Sequence, residues 1–159
     1  MRRARRGLAA LVTALVTVAL GSLGCASSSA SASSAADAAT TRRAQLTVRS
    51  ARATNSGKVL YMMVRRVDAK AAVLAQSYDE MAAVLAAPGE DASVLAVRPI
   101  FPGRPATVTV QSEEGDHLFA YFFFTSPGPN WRVGLPTPLP EEVSLELGVD
   151  EVERVEARR

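Results

Sequence analysis

Cys25 and His117 are the only cysteine and the only histidine in this chain, and between them they bound the chemistry it can perform. A thiol can act as a nucleophile, a metal ligand or an acceptor of acyl and alkyl groups, and an imidazole titrates near neutrality. One of each falls short of a structural zinc site, which takes four ligands, or a catalytic one, which takes three. A Ser-His-Asp triad needs a serine within reach of the histidine. His117, however, follows Glu113-Glu114-Gly115-Asp116, a turn signal that predicts an exposed side chain. No Walker loop and no GxGxxG phosphate cradle occurs. The residues therefore predict no catalytic site, no metal and no cofactor. An esterase-like enzyme using His117 as base is the catalytic alternative.

The surroundings of Cys25 give it a different use. Arg2, Arg3, Arg5 and Arg6 form a positive start, Leu8 to Leu20 carries no charge, and Gly21-Ser22-Leu23-Gly24 leads into the cysteine. That order reads as a secretory signal over residues 1–24. Its apolar run is shorter than the 20 or so residues of a membrane span. Ser22-Leu23-Gly24-Cys25 resembles the bacterial lipobox, which implies cleavage before Cys25, a diacylglycerol on its sulfur and an acyl chain on its new amino group. A second processing site, after Ala30-Ser31-Ala32, would discard Cys25 altogether. Three acyl chains exceed the two that stable anchoring requires. Ala26 and Ser27 stand where an inner-membrane retention aspartate would be, so the resemblance implies the periplasmic face of the outer membrane.

Removing the signal changes the charge argument. Without its four arginines, 14 of the 18 basic residues remain against 16 acidic ones, a net charge of −2. A nucleic-acid partner loses its electrostatic support. With Cys25 lipidated or removed, no disulfide can form, and the fold must rest on an apolar core. Ala26 to Thr41 is nearly all alanine and serine with one charge, too polar to bury anything. Residues 25–44 thus read as the lipidated cysteine and a flexible tether, of which the sixteen residues Ala26 to Thr41 have a root-mean-square span of about 20 to 24 Å. Residues 45–159 read as one domain.

Within that domain the dominant period is two. Gln45 to Arg49, Ala106 to Gln111 and Val143 to Leu147 alternate polar with apolar, as strands wet on one side do. Val59 to Val67 and Leu118 to Thr125 are more continuously apolar, which predicts central strands. Shorter strands are expected at Val94 to Arg98, Trp131 to Val133 and Val152 to Val155. Asn55-Ser56-Gly57, Pro102-Gly103, Glu114-Gly115-Asp116 and Ser126 to Asn130 supply turns. Ala69 to Ala87 carries apolar residues at helical spacing before Pro88-Gly89, and one or two helical turns are expected around Tyr78 to Leu85. Short strands at regular spacing with one helical excursion predict a mainly β, two-sheet sandwich.

Along the aromatic strand, Phe119, Tyr121 and Phe123 point one way and Phe122 and Phe124 the other, which predicts a strand covered on both faces. Trp131-Arg132 is expected to close one end of the sandwich. An interface role is the alternative, since both types are enriched in hot spots.

In order, these features resemble the type VI secretion lipoprotein family (TssJ, also called VasD), a lipoprotein signal followed by a transthyretin-like sandwich. The carriers are Asn55-x-Gly57-Lys58 running into Val59 to Val67, the Ala75-Gln76-Ser77-Tyr78 stretch, Pro102-Gly103, the strand Leu118 to Phe124, and Trp131-Arg132. The resemblance implies a lipoprotein anchored to the outer membrane on its periplasmic face. It would hold the periplasmic C-terminal domain of the inner-membrane component TssM. It also implies a partner-binding loop between the first two strands, here Thr54, Asn55, Ser56, Gly57 and Lys58. A periplasmic lipoprotein that takes a small hydrophobic ligand or peptide between its sheets is the other binding class.

Overall fold

A computed structural model describes residues 41–158 of the chain. The signal segment, Cys25 and the tether up to Thr40 lie outside the described residues. Eight strands follow: β1 (Arg42–Ser50), β2 (Leu60–Val67), β3 (Val94–Ile100), β4 (Ala106–Ser112), β5 (His117–Phe123), β6 (Arg132–Gly134), β7 (Glu142–Leu147) and β8 (Val152–Arg158). Two helices, α1 (Lys70–Ala75) and α2 (Tyr78–Ala86), interrupt them between β2 and β3. Every strand expected from the alternating pattern is present. β1 begins three residues ahead of Gln45, because Arg42, Arg43 and Ala44 already pair with Ser112, Gln111 and Val110.

The strands form two four-stranded sheets, ordered β4-β1-β7-β8 and β3-β2-β5-β6, the two-sheet sandwich predicted above. All pairings are antiparallel except β1 with β7, which run parallel from Gln45–Glu142 to Ser50–Leu147. Leu46, Val48 and Leu145 of the first sheet are fully buried, as are Met62, Val64, Ala120 and Phe122 of the second. The register sets Met62 beside Phe122 and Val64 beside Ala120, so these four share one face. Burying a side chain of this kind contributes about 1.5–3 kcal/mol. On β1 and β4 the alternate positions Gln45, Arg49, Thr107, Thr109 and Gln111 are exposed, so that face of the first sheet is wet.

The second sheet is covered on its outer side as well, and the helices cover it. Tyr78 of α2 stacks against Phe123 at 5.7 Å and edge-on against Trp131 at 5.0 Å. Tyr121 Oη donates to Gln76 Oε1 at 2.8 Å, between the helices. Val73 and Met81 join the core from α1 and α2. β5 is therefore buried on both faces, as its unbroken aromatic run requires.

The sequence predicted one helical excursion, and two helices are found. The break falls at Ser77: its Oγ accepts from Glu80 N at 3.2 Å while Glu80 Oε2 accepts from Ser77 N at 2.7 Å, a capping box that starts α2 afresh. Pro88 stops α2, as expected.

Candidate partner-binding end of the sandwich

β1 and β2 belong to different sheets, so residues 51–59 are not the short hairpin that Asn55-Ser56-Gly57 suggests but a crossover between layers. It turns through three consecutive residues at positive φ: Asn55 at 52°, Ser56 at 55° and Gly57 at 76°. Asn tolerates this left-handed region better than most residues, and glycine does so freely. Ser56 has neither advantage and stores strain there.

Asn55 holds the crossover in place. Its Nδ2 donates to the carbonyls of Lys58 (3.1 Å) and Val59 (3.2 Å), and its Oδ1 accepts from Thr125 N at 2.7 Å. Its backbone N donates to Val149 O at 2.6 Å. One side chain thus ties the crossover to the end of β5 in one sheet, and its own amide ties it to the β7–β8 turn in the other. Asn55 is 5% exposed and Thr54 is 0% exposed, whereas Ser56, Gly57 and Lys58 are open to solvent. Of the five residues of the expected binding loop, two are framework and three are surface. The hydroxyls of Thr54 and Ser50 are buried with no hydrogen-bond partner among the described residues.

The same end of the sandwich carries most of the exposed large apolar side chains: Val59, Tyr61, Phe101 and Val149. The β3–β4 turn leans on the crossover, with Gly103 N donating to Ser50 O at 3.2 Å. Gly103 sits at φ 78°, and a Cβ there would meet Arg52 Cγ at 2.7 Å, so both backbone conformation and space call for glycine.

The other residues singled out from the sequence are elsewhere. Trp131 is 9% exposed and packs on Tyr78 and Tyr121, while the Arg132 guanidinium lies over its ring at 4.9 Å and donates to Gln76 O. The tryptophan therefore does not close an end of the sandwich, as expected, but packs under the helices on the outer face of the second sheet, and the arginine is spent on the C-terminal end of α1. His117 departs from its expectation. It opens β5 and is half-buried, with Nδ1 enclosed and without a partner among the described residues. The preceding turn is clamped, since Asp116 Oδ2 accepts from Glu113 N at 2.7 Å and from Arg66 Nε at 3.0 Å.

One polar network had no signal in the sequence. Arg65, on the helix-covered face, donates to Asp91 Oδ2 at 2.7 Å, to Ser93 Oγ at 3.0 Å and to Met81 Sδ at 2.9 Å. Hydrogen bonds from the Ser93 hydroxyl and backbone N–H, and then the Arg65 charge, hold the Asp91 carboxyl below its ordinary range. Among the described residues, no group of three His, Cys, Asp or Glu side chains is arranged to hold a metal ion.

The family model described as IglE, N-terminal domain, matches residues 61–147, which is more than half of the chain. The chain belongs to that family. No curated protein sequence matches it. Among solved structures, it is similar to Serratia marcescens Lip, a membrane-bound component of the type VI secretion system. The TM-score is 0.58 at 18% identity, over 74% of this chain and 98% of that one. It is also similar to the type VI secretion lipoprotein TssJ1 from Pseudomonas aeruginosa, with TM-score 0.56 and 14% identity over 74% and 96% of the two chains. A chain in the structure of the TssM C-terminal domain (869-1107) from EAEC matches with TM-score 0.57 and 13% identity, over 73% and 98%. The resemblance read from the sequence is borne out in the fold: the two-sheet sandwich matches those of solved TssJ-type lipoproteins.

Proposed function

We propose that this protein is an outer-membrane-anchored periplasmic lipoprotein of a type VI secretion membrane complex, and that it binds the periplasmic C-terminal domain of a TssM-like inner-membrane protein. The observation that carries this reading is the match of its sandwich to nearly the whole length of solved type VI secretion lipoproteins, 96–98% of each chain, together with family membership over residues 61–147. The cysteine signature at residue 25 supports the anchor. The role proposed is binding, not turnover.

The second binding class fares less well on geometry. The space between the sheets is filled by Leu46, Met62, Val64, Phe122 and Leu145, all fully buried. The crossover end presents Ser56, Gly57 and Lys58 on a framework fixed by Asn55, with little backbone freedom to lose on binding. A tether confines the domain near its partner and raises the effective concentration, which lets a modest interface act strongly.

Calorimetry of the processed protein against the periplasmic C-terminal region of a TssM-like protein from the same genome tests the role. Saturable one-site binding is expected, and no heat from a demonstrably folded protein would remove it. Palmitate labelling of wild type but not of Cys25→Ser is expected if the anchor is real.

A further inference from the structure

At the crossover end, charge is sorted by side. Segments 51–61 and 98–105 contain Arg52, Lys58, Arg98 and Arg104 and not one carboxylate, although the domain as a whole is acidic. All four are exposed, and none forms an ion pair among the described residues. The acids of this end, Asp150, Glu151 and Glu153, lie on the other side, where Gly128 N donates to Asp150 O, Asn130 Nδ2 donates to Glu151 and the Glu153 carboxylate lies against Gly148.

Between the cations lies a cleft of about 420 Å³ whose lining includes Arg98, Phe101 and Arg104. Phe101 is 50% exposed, and Tyr61, 46% exposed, is paired in register with Pro99 of the neighbouring strand. Arg52 borders the same surface through its contact with the β3–β4 turn at Gly103. Proline recurs at 99, 102 and 105, which fixes φ and leaves little backbone freedom to lose on binding. Arginine and aromatic side chains on a rigid support are the composition of a protein–protein anchor.

We propose that this cleft is the docking site for an acidic segment of a protein partner, with carboxylates paired to Arg98 and Arg104 and an apolar side chain set against Phe101. The proposal rests on the reading above, because the partner tested is the TssM-like periplasmic region. It places the main contact on the β3–β4 turn, not on the crossover loop alone. A lipid surface fits less well. β1 runs from Arg42, where the chain enters the domain, to Ser50 beside the cleft, and nine strand residues put about 30 Å between those ends.

The test uses the full-length, processed lipoprotein in detergent micelles, titrated with the TssM-like C-terminal region at low and high salt. Wild-type affinity is expected to fall with salt. R98E/R104E is expected to bind about tenfold or more weakly and to lose most of that salt dependence, as removal of rim charges does. F101S is expected to weaken binding at both salts, and Thr109→Glu, on the exposed face of the first sheet, to leave it unchanged. If wild type binds and R98E/R104E and F101S bind equally well, this surface is overturned while the secretion role stands. If wild type does not bind, both fall. If wild type binds phosphatidylglycerol vesicles without the partner and R98E/R104E does not, the site is a lipid surface and the proposal is overturned.

Discussion

Replacing Asn55 with alanine should cost the domain about 3 kcal/mol, and the sum follows from its contacts. The side chain makes three hydrogen bonds, to the carbonyls of Lys58 and Val59 and from the amide of Thr125. Each is worth about 1 kcal/mol net, less for the bond from Thr125, an exposed residue. Alanine held at φ 52° adds about 1 kcal/mol, the lower end of the left-handed penalty. For a domain of this size that is a fall in Tm of about 10–15 °C. Asn55→Gly loses the same hydrogen bonds but escapes the backbone penalty, so it should stand about 1 kcal/mol above Asn55→Ala. Asn55→Asp keeps the acceptor for Thr125 but sets a carboxylate against two carbonyls, and should be no better than alanine. Urea denaturation of the processed protein, followed by far-ultraviolet circular dichroism, reads all three. An alanine variant within about 1 kcal/mol of wild type, or an aspartate variant as stable as wild type, would refute the assignment of Asn55 as the crossover's anchor. Weakened partner binding by Asn55 variants would then report a deformed loop, since a side chain 5% exposed has little surface to offer a partner.

Ser77→Ala should remove the hydroxyl half of the capping box and cost about 1 kcal/mol, with helical signal lost from the start of α2 in hydrogen exchange. Because Asp91 is held below its ordinary 3.8 by Ser93 and then Arg65, its contribution is present above that pH and is lost as pH falls below it; Asp91→Asn should flatten that acid limb of a Tm–pH curve. Tyr78 and Tyr121 shift the other way, raised above 10.0 chiefly by burial, with Asp79 adding to the effect on Tyr78. Stability should therefore hold up to about pH 10 and decline beyond it, and a Tyr78→Phe/Tyr121→Phe variant should decline less steeply.

All eight strands are legible in the sequence, the half-buried ones because alternate residues carry their geometry, as in Gln45-Leu46-Thr47-Val48, and the central β2 and β5 because their apolar runs are nearly unbroken. The same local rule is silent on which sheet a strand joins. Nothing near Asn55 in sequence says that β1 and β2 part company, or that the partner of its Oδ1 is Thr125. α1 is harder to delimit, because the six residues Lys70 to Ala75 are too few to show a full helical repeat. The restart at α2 is written in Ser77-x-x-Glu80, a capping-box spacing. At the candidate site, the loop position was recoverable from sequence order, but the division of its residues into Thr54 and Asn55 inside and Ser56 to Lys58 outside was not. The Arg65–Asp91–Ser93 network was equally hidden, since it closes only when the helical segment folds back over β2.

The position of β1 also governs how the domain is built. It is the first strand to leave any machine that delivers the chain N-terminus first, yet its two neighbours are β4 and β7, and its pairing with β7 is parallel. Neither neighbour is available until most of the chain has emerged. The first sheet cannot close in the order in which its strands appear, whereas the second is built from two sequential pairs, β2 with β3 and β5 with β6. Such non-local pairing makes for slow folding, with loop closure coming before any reward. The nascent chain must carry an amphipathic first strand that stays unpaired until β4 emerges, more than half-way through the domain, and paired on one edge only until β7 follows. It is in that interval, before the C-terminal hairpin arrives, that the protein is most open to chaperones, to proteases and to pairing with a second copy of itself.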